Sequence, residues 1–325
     1  MGAGLFCFPM TRIKTIDAEV AGEAVRLIVG GAPTVPGQTM ADKRNWLRKN
    51  GDGLRRLLML EPRGHAGMHG AMLTEPVSPG GHAGLLSMHA EGFPIVSGES
   101  ILAAATIALE HKLIEGVEGE LRLDTPAGPF RATPSRTGAM VTSVAVTCTP
   151  AFVHSAGLRI PVGARTITAD IAFGGEFYAI ADSEAIGIPI EMANATALVR
   201  MGRDIKDAIE GTGRVQHPGD AWLTGVQGTI FTGAPHAGAD LRSATVLEGE
   251  VLRRSPGVTG TAALMAVLDA MGLLPDGHRF THEGILGTTL GGRAAGRSQV
   301  GESAAIIPVI EGSASVTGFH EFVKD

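Results

Sequence analysis

Two segments of small residues stand directly ahead of the most apolar helical runs in the chain, at residues 96–100 and 253–260. The runs that follow, ILAAATIAL and AALMAVL, predict helices that are buried on every side. The segments lie about half a chain apart, which suggests two similar halves whose helix N-termini face one cleft. Free N–H groups and helix dipoles at such ends attract an anion. We therefore predict a site for a carboxylate or phosphate, with two ordinary capped core helices as the alternative.

Other motifs give weaker signals. His65 and His69 have the spacing of metal ligands on a helix, but the surrounding glycines disfavour that helix, so no metal site is predicted. The segment after Gly257 lacks the lysine of a phosphate loop, and the glycine pairs lack a dinucleotide fingerprint. Ser97 lacks the glycine pattern of a nucleophile elbow and has no histidine nearby in sequence. A nucleotide cofactor and a serine hydrolase are therefore not expected.

Short strands bounded by turn residues dominate the remaining pattern. Strands are predicted at residues 24–29, 120–124, 166–172 and 176–181, the last two forming a hairpin around Gly174 and Gly175. Helices are predicted at residues 40–50, 100–112 and 261–271. The fold class expected is α/β or α+β, with mixed sheets curled around central helices.

Length and composition limit the class of protein. A chain of 325 residues with 44% hydrophobic residues can form two domains, which we place at residues 1–150 and 151–307, with residues 308–325 returning to the first. A net charge of −6 and 4% aromatic residues argue against nucleic-acid binding. The longest strongly apolar run, residues 101–109, is too short to cross a bilayer. Cys7 and Cys148 are too few for a disulfide framework, so we expect a cytoplasmic protein.

The sequence resembles the proline racemase superfamily, which includes hydroxyproline epimerases and trans-3-hydroxyproline dehydratases, almost from end to end. The matching motifs are DAEVAGEAVRL at 17–27, EPRGH at 61–65, LDTPAG at 123–128, GGEFYAI at 174–180, TGAP at 232–235, RSP at 254–256, TGT at 259–261, HE at 282–283 and IEG at 310–312. The resemblance implies two similar domains of the diaminopimelate-epimerase type. It also implies a substrate carboxylate between two helix N-termini, a proline-like small molecule as partner, and no cofactor.

Racemases of this family are expected to move the α-proton with two cysteines, and both are absent here. The first stands in a Cys-Gly-His stretch, which corresponds to Ser97, Gly98 and Glu99. The second stands in Asp-Arg-Ser-Pro-Cys-Gly-Thr-Gly, which corresponds to residues 253–260, so that Arg253 replaces the aspartate and Gly257 the cysteine. A serine hydroxyl is a poor base without a partner, and glycine cannot transfer a proton. A symmetrical two-base racemase is therefore disfavoured.

Dehydration needs only one base and one acid, and the family's dehydratases carry threonine at the second cysteine position. We predict Ser97, Glu99 and Thr259 as catalytic residues, with burial raising the pKa of Glu99 and Ser97 hydrogen-bonded beside it. Substrate contacts are expected from Gly98, Ser100, Phe177, Arg253, Gly257, Val258 and Gly260.

Three alternatives remain open at this point. Glu99 and Arg253 could simply pair across the cleft, leaving a protein that binds a small carboxylate without reacting it. Arg253 could instead bind a second carboxylate on a substrate unlike proline. Family likeness alone favours an epimerase or racemase. A homodimer is expected only from the general frequency of symmetric dimers.

Overall fold

The computed structural model describes residues 11–117, 119–213, 215–236 and 238–324. Cys7 lies outside these ranges. In the part described, the protein is a strand-rich α+β fold with few helices, as predicted. The strands are β1 Thr11–Val20, β2 Glu23–Gly30, β3 His69–Thr74, β4 Ala83–His89, β5 Leu121–Thr125, β6 Gly128–Thr137, β7 Met140–Thr147, β8 Ala151–Val162, β9 Arg165–Phe173, β10 Phe177–Asp182, β11 Gly228–Gly233, β12 Leu241–Leu247, β13 Val251–Leu252, β14 Phe280–Glu283, β15 Thr289–Val300, β16 Ser303–Gly312 and β17 Ser315–Lys324.

The helices are fewer and fall between groups of strands. They are α1 Met40–Asn50, α2 Asp52–Met59, α3 Gly98–Glu110, α4 Ser183–Ile186, α5 Ala195–Thr212 and α6 Val258–Ala270, with a 3₁₀ turn at Met192–Asn194. The predicted helix at 40–50 is confirmed, and a capping box between Thr39 and Asp42 explains where it begins. No helix of the described ranges combines the length and the hydropathy needed to span a membrane.

The first half of the sheet encloses α3. Pairing runs from β17 through β1, β2, β3, β4, β5 and β6 to β7, with parallel neighbours at β2–β3 and β4–β5. In β7 the buried positions include Val141, Val144 and Val146. They pack against α3, which is buried from Gly98 to Leu109. The prediction of a fully buried helix is confirmed.

The second half of the sheet closes on itself around α6. Pairing runs from β8 through β9, β10, β11, β12, β14 and β15 to β16, and β16 pairs with β8 again. The same β16 pairs with β7 through its C-terminal part, so one strand joins the two halves. Closure removes unpaired strand edges and leaves α6 buried from Val258 to Val267. Because the sheet is continuous, the domain division at residue 150 stays a prediction.

Sequence patterns missed three helices and misplaced the ends of two. Helix α5 is amphipathic and packs through Leu198, Ile205 and Ile209, but its interior Gly202 obscures the pattern. That glycine lies against Val246, where an added Cβ would be only 2.7 Å from the valine Cβ. Helices α2 and α4 are short and were also missed. Helices α3 and α6 begin two to three residues earlier than predicted, because their small-residue segments form the first helical turn.

Candidate active site between the tips of α3 and α6

The N-termini of α3 and α6 meet in the interior. Gly98, the first residue of α3, lies against Val258, the first residue of α6. A Cβ added at Gly98 would be 2.1 Å from the Val258 Cβ, so only glycine allows this approach. Both residues are buried. The two segments singled out in the sequence therefore form one site.

A side chain caps the tip of α3. The Ser97 hydroxyl caps the helix by accepting a hydrogen bond from the Ser100 backbone N–H at 3.3 Å. The same oxygen lies 3.3 Å from Nδ1 of His69, which comes from β3 and is fully enclosed. Burial, assisted by the positive charge of Arg253, holds the pKa of His69 well below its ordinary value. The imidazole is therefore neutral. The sequence showed no histidine near Ser97 along the chain, and the fold places His69 beside it.

Glu99 forms part of a buried ion cluster. Its Oε1 accepts a hydrogen bond from the Ser255 hydroxyl at 2.6 Å and lies 2.7 Å from Nη2 of Arg253. The Nε of Arg253 lies 2.9 Å from Oε1 of Glu23, a residue that sequence reasoning did not single out. The Arg253 N–H groups are not well aligned with either oxygen, so charge holds the cluster more than directed hydrogen bonds do. Glu99 thus pairs with Arg253, which was one of the alternatives that the sequence allowed.

The prediction that burial raises the pKa of Glu99 is wrong. Burial alone would raise it, but Arg253 and the Ser255 hydroxyl together outweigh burial and lower the pKa. Ser97 is also not the hydrogen-bond partner of Glu99, since its recorded partners are His69 and the Ser100 N–H. Glu99 is therefore a stable carboxylate, which suits charge pairing better than proton transfer.

The tip of α6 is left without a side-chain cap. Its N-cap is Gly257, which has a φ of 82° and offers no side chain to the first N–H groups of the helix. The Ser255 hydroxyl accepts from the Gly257 N–H at 2.9 Å, one step before the helix begins. These free donors and the helix dipole make this tip the better place for an anionic group. Gly260, in the first turn, is buried against Ile230.

A chain of hydrogen bonds links the first turn of α6 to a buried carboxyl group. The hydroxyls of Thr259 and Tyr178 lie 2.8 Å apart, and the Tyr178 hydroxyl donates to Oε2 of Glu176 at 3.2 Å. The other oxygen, Oε1, is buried and has no hydrogen-bond partner in the described structure. Burial raises the pKa of Glu176 to about 7, although Tyr178, Arg253, Arg44 and the nearby Val96 N–H each oppose the rise. Sequence reasoning used Glu176 only as part of a family motif.

Phe177 does not join the other predicted residues. Neighbouring residues of a strand point to opposite faces, so Phe177 points away from the side shared by Glu176 and Tyr178. Its ring packs against Phe173 at a centroid distance of 4.9 Å and against Phe152 at 6.2 Å. Phe177 therefore belongs to an aromatic cluster in the second core. Its predicted contact with substrate is not supported by this position.

A small cavity of about 20 Å³ lies between the two tips. Of the predicted residues it is lined by Ser97, Gly98, Glu99, Arg253 and Thr259, and His69, Glu176 and Tyr178 join them. The space holds about one water molecule, so a ligand enters only if the walls separate. A groove of about 780 Å³ shares His89, Pro94 and Gln227 with this cavity.

Thiol groups take no part in this site as far as the chain is described. The described ranges contain one free cysteine, Cys148, which is buried in the first core. Burial raises the pKa of its thiol to about 12, so it is not a ready source of thiolate. Within the same ranges, no three His, Cys, Asp or Glu side chains group together as metal ligands.

Comparison with known proteins agrees with this architecture. The family model for proline racemase matches residues 15–325. A trans-3-hydroxy-L-proline dehydratase of Bacillus cereus is 38% identical over 314 residues, covering 96% of this chain and 94% of the relative. A proline racemase of Clostridioides difficile is 35% identical over 317 residues, covering 96% and 95%.

A solved structure is also similar along nearly the whole chain. The hydroxyproline epimerase of Agrobacterium vitis, crystallised with trans-4-hydroxy-L-proline, superposes with a TM-score of 0.90 at 31% identity, covering 97% of this chain and 93% of that one. The family's relatives are enzymes that act on proline-like small molecules. Sequence, fold and the meeting of two helix tips agree, and this chain belongs to the proline racemase family.

Proposed function

We propose that this protein dehydrates a hydroxyproline at the α- and β-carbons without a cofactor, and that trans-3-hydroxy-L-proline is its substrate. The observation that carries the proposal is the asymmetry of the two helix tips. One tip bears the Ser97 hydroxyl beside His69, whereas the other bears Gly257, which cannot transfer a proton. A racemase needs an acid–base group on each face of the α-carbon, and this arrangement does not supply a matched pair.

The stereochemistry of the substrate suits a site with one active face. In trans-3-hydroxy-L-proline the hydroxyl and the carboxylate lie on opposite faces of the ring, so the hydroxyl shares a face with the α-hydrogen. A single acid–base group can then take the α-proton and deliver it to the departing hydroxyl. The name of the Bacillus cereus relative supports the same substrate.

The substrate carboxylate is assigned to the uncapped tip of α6. The N–H groups of Val258 and Thr259 precede the first intrahelical hydrogen bond, and no side chain caps them. When the α-proton leaves, negative charge moves onto the oxygens of the substrate carboxylate. The N–H groups of the helix tip would stabilise the resulting enediolate by donating hydrogen bonds to these oxygens. Arg253 neutralises part of the charge of Glu99 and Glu23, which would otherwise repel this anion.

The experiment follows proline, 3-hydroxyproline and 4-hydroxyproline isomers by NMR in D₂O. We expect trans-3-hydroxy-L-proline to lose its hydroxyl and form a pyrroline carboxylate. We expect cis-3-hydroxy-L-proline to remain intact, because its hydroxyl and its α-hydrogen lie on opposite faces of the ring. Deuterium incorporation with inversion of trans-4-hydroxy-L-proline would instead identify an epimerase and overturn the proposal.

A second candidate is a protein that binds a small carboxylate without reacting it. The buried pair of Glu99 and Arg253 and the cavity of about 20 Å³ favour this reading, because ionised groups already occupy the space between the tips. Saturable binding of these amino acids, measured by calorimetry, with no loss of any α-proton in D₂O would establish it.

A further inference from the structure

We propose that Glu176 is the acid–base residue of this site, with its Oε1 exchanging a proton directly with the bound substrate. The inference deepens the proposed dehydration and rests on it. Glu176 precedes β10 and reaches the cavity that Ser97, Arg253 and Thr259 also line. It stands beside the first turn of α6, the tip to which the substrate carboxylate is assigned.

The cavity contains two carboxyl groups in different states. Glu99 is bound to Arg253 and Ser255, so its oxygen is already engaged. Among the residues that the structure describes, Glu176 forms no ion pair, and its Oε1 has no hydrogen-bond partner despite being buried. A buried polar atom without a partner is costly, and its retention indicates that a ligand completes it.

The second oxygen of Glu176 is held in place while the first is free. The Tyr178 hydroxyl donates to Oε2, and Thr259 in turn contacts the Tyr178 hydroxyl. This chain orients the carboxyl group, so Tyr178 and Thr259 are positioning residues. Burial raises the pKa of Glu176 to about 7, which allows both the acid and the base form near neutral pH.

The proton transfers balance with Glu176 alone. Its carboxylate Oε1 takes the α-proton, so the C–H bond breaks and the electron pair enters the enediolate. The pair then forms the Cα–Cβ double bond as the C–O bond to the β-hydroxyl breaks, and the Glu176 proton passes to the leaving oxygen. Water departs, Glu176 returns to its carboxylate form, and the enamine product tautomerises to a pyrroline carboxylate in solution.

His69 and Ser97 form the competing acid–base pair. The Nδ1 atom of His69 lies beside the Ser97 hydroxyl, which also caps α3. Burial and the charge of Arg253 disfavour protonated His69, so this imidazole is a weak base in its site. Glu176 gains the proton more readily because its protonated form is neutral.

The first experiment compares E176Q with E302Q, in which the same change is made at an exposed carboxylate in the turn between β15 and β16, away from the site. We expect E176Q to lose about 10²- to 10⁴-fold in kcat, the usual contribution of general acid–base catalysis, and E302Q to match the parent. The variant E176D keeps an ionisable group and should retain a measurable part of the activity. Near-parental turnover by E176Q would overturn the assignment while leaving the dehydratase proposal intact.

The pH profile separates a catalytic role from a structural one. We expect kcat/KM of the parent to rise through the pKa of Glu176, near 7, and this step to disappear in the residual activity of E176Q. A profile in which the step survives in E176Q would assign it to another group and overturn the inference. The titratable or charged groups that line the cavity or influence the Glu176 carboxyl are Tyr178, Arg44, Glu99, His69, His89 and Arg253. Glu210 and Glu248 line a separate groove on the other side of Glu176.

A measurement without turnover provides the second test. Pyrrole-2-carboxylate has a planar α-carbon and resembles the deprotonated substrate, so it is the probe. Infrared difference spectra should show a protonated-carboxyl band that is absent from E176Q and that shifts when the probe binds. If no band is lost in E176Q, or if probe binding leaves the band unchanged, Glu176 does not face the ligand and the inference is wrong. If the parent neither binds the probe nor converts any substrate, both proposals are wrong.

Discussion

The tips of α3 and α6 each have a buried glutamate nearby, and the two glutamates behave in opposite ways. Glu99 at the α3 tip contacts Arg253 and Ser255, and its pKa is lowered. Glu176 beside the α6 tip accepts a hydrogen bond from the Tyr178 hydroxyl and forms no ion pair with any described residue, and its pKa is raised to about 7. Burial is complete at both positions, so it does not decide the charge. The partner that contacts a buried carboxyl group therefore determines whether that group stays ionised or can exchange a proton near neutral pH.

The same contrast applies to the helix ends themselves. The α3 end is capped by Ser97, whereas the α6 end begins at Gly257 without a side-chain cap. One end therefore has an N–H group that the chain itself caps, whereas the first N–H groups of the other end have no side-chain cap and can bind a ligand. The two helix tips are thus unequal, and the proposed dehydration on one face of a substrate depends on this difference.

Removal of Arg253 should have the largest effect on stability. R253M leaves the buried carboxylates of Glu99 and Glu23 without their cation, and we expect a loss of about 3–5 kcal/mol in the free energy of unfolding. Urea denaturation measures the change. The control is R254M at the adjacent exposed arginine, for which we expect a change within about 0.5 kcal/mol. Equal small effects of the two variants would contradict the buried ion cluster of Glu99, Arg253 and Glu23.

The pH dependence of stability should identify Glu176 as the unpaired carboxyl. Its folded pKa is raised from 4.5 to about 7, so the folded state binds its proton more tightly than the unfolded state does. The free energy of unfolding therefore falls by about 3 kcal/mol as pH rises from 4.5 to 7, at 1.36 kcal/mol for each pKa unit. E176Q should lack this fall in the free energy of unfolding. Subtracting its pH dependence from that of the parent removes the contribution of the histidines, which both proteins share.

The contribution of Glu99 to stability should depend on pH in the opposite direction, so Glu99 provides the comparison for that experiment. Because its folded pKa is lowered, its contribution is complete above the ordinary value of 4.5 and is lost as pH falls towards the folded value. E99Q should therefore not reproduce the E176Q difference between pH 4.5 and 7. If E99Q and E176Q gave the same difference in that range, the contrast between the two glutamates would be wrong.

Alanine substitutions of the two tip glycines should have smaller effects on stability than removal of Arg253, and for two different reasons. Alanine at Gly98 meets the Val258 Cβ at 2.1 Å, and we expect G98A to cost about 2–3 kcal/mol through overpacking. Alanine at Gly257 has open space, with its nearest atoms at 3.8 and 3.9 Å, and only the positive φ opposes it. Because Gly257 has a φ of 82° and a ψ of 127°, a conformation that residues with a Cβ rarely adopt, we expect G257A to cost about 1–3 kcal/mol. Thermal denaturation of both variants measures the two costs, and a G98A protein as stable as the parent would contradict the close contact of the tips.

Much of the fold could be predicted from local patterns. The runs after Ser100 and Thr261 indicated buried helices because they lack a polar face, and the motif around Gly174 and Gly175 indicated the β9–β10 hairpin. Helix α5 was not predicted because Gly202 interrupts its helical pattern. This glycine is present because the helix packs closely against Val246 there. Such a contact depends on a strand that is distant in sequence, so no local pattern reveals it.

Residue types and their spacing were enough to indicate the family likeness, the two buried helices with small residues at their tips, and the absence of cysteine at both expected positions. The folded structure was needed to show that Glu99 pairs with Arg253, that His69 lies beside Ser97, and that Glu176 reaches the same cavity and forms no ion pair with any described residue. The physical reason is that residue identity sets which groups can ionise, whereas the pKa of a buried group depends on neighbours that folding brings from far along the chain.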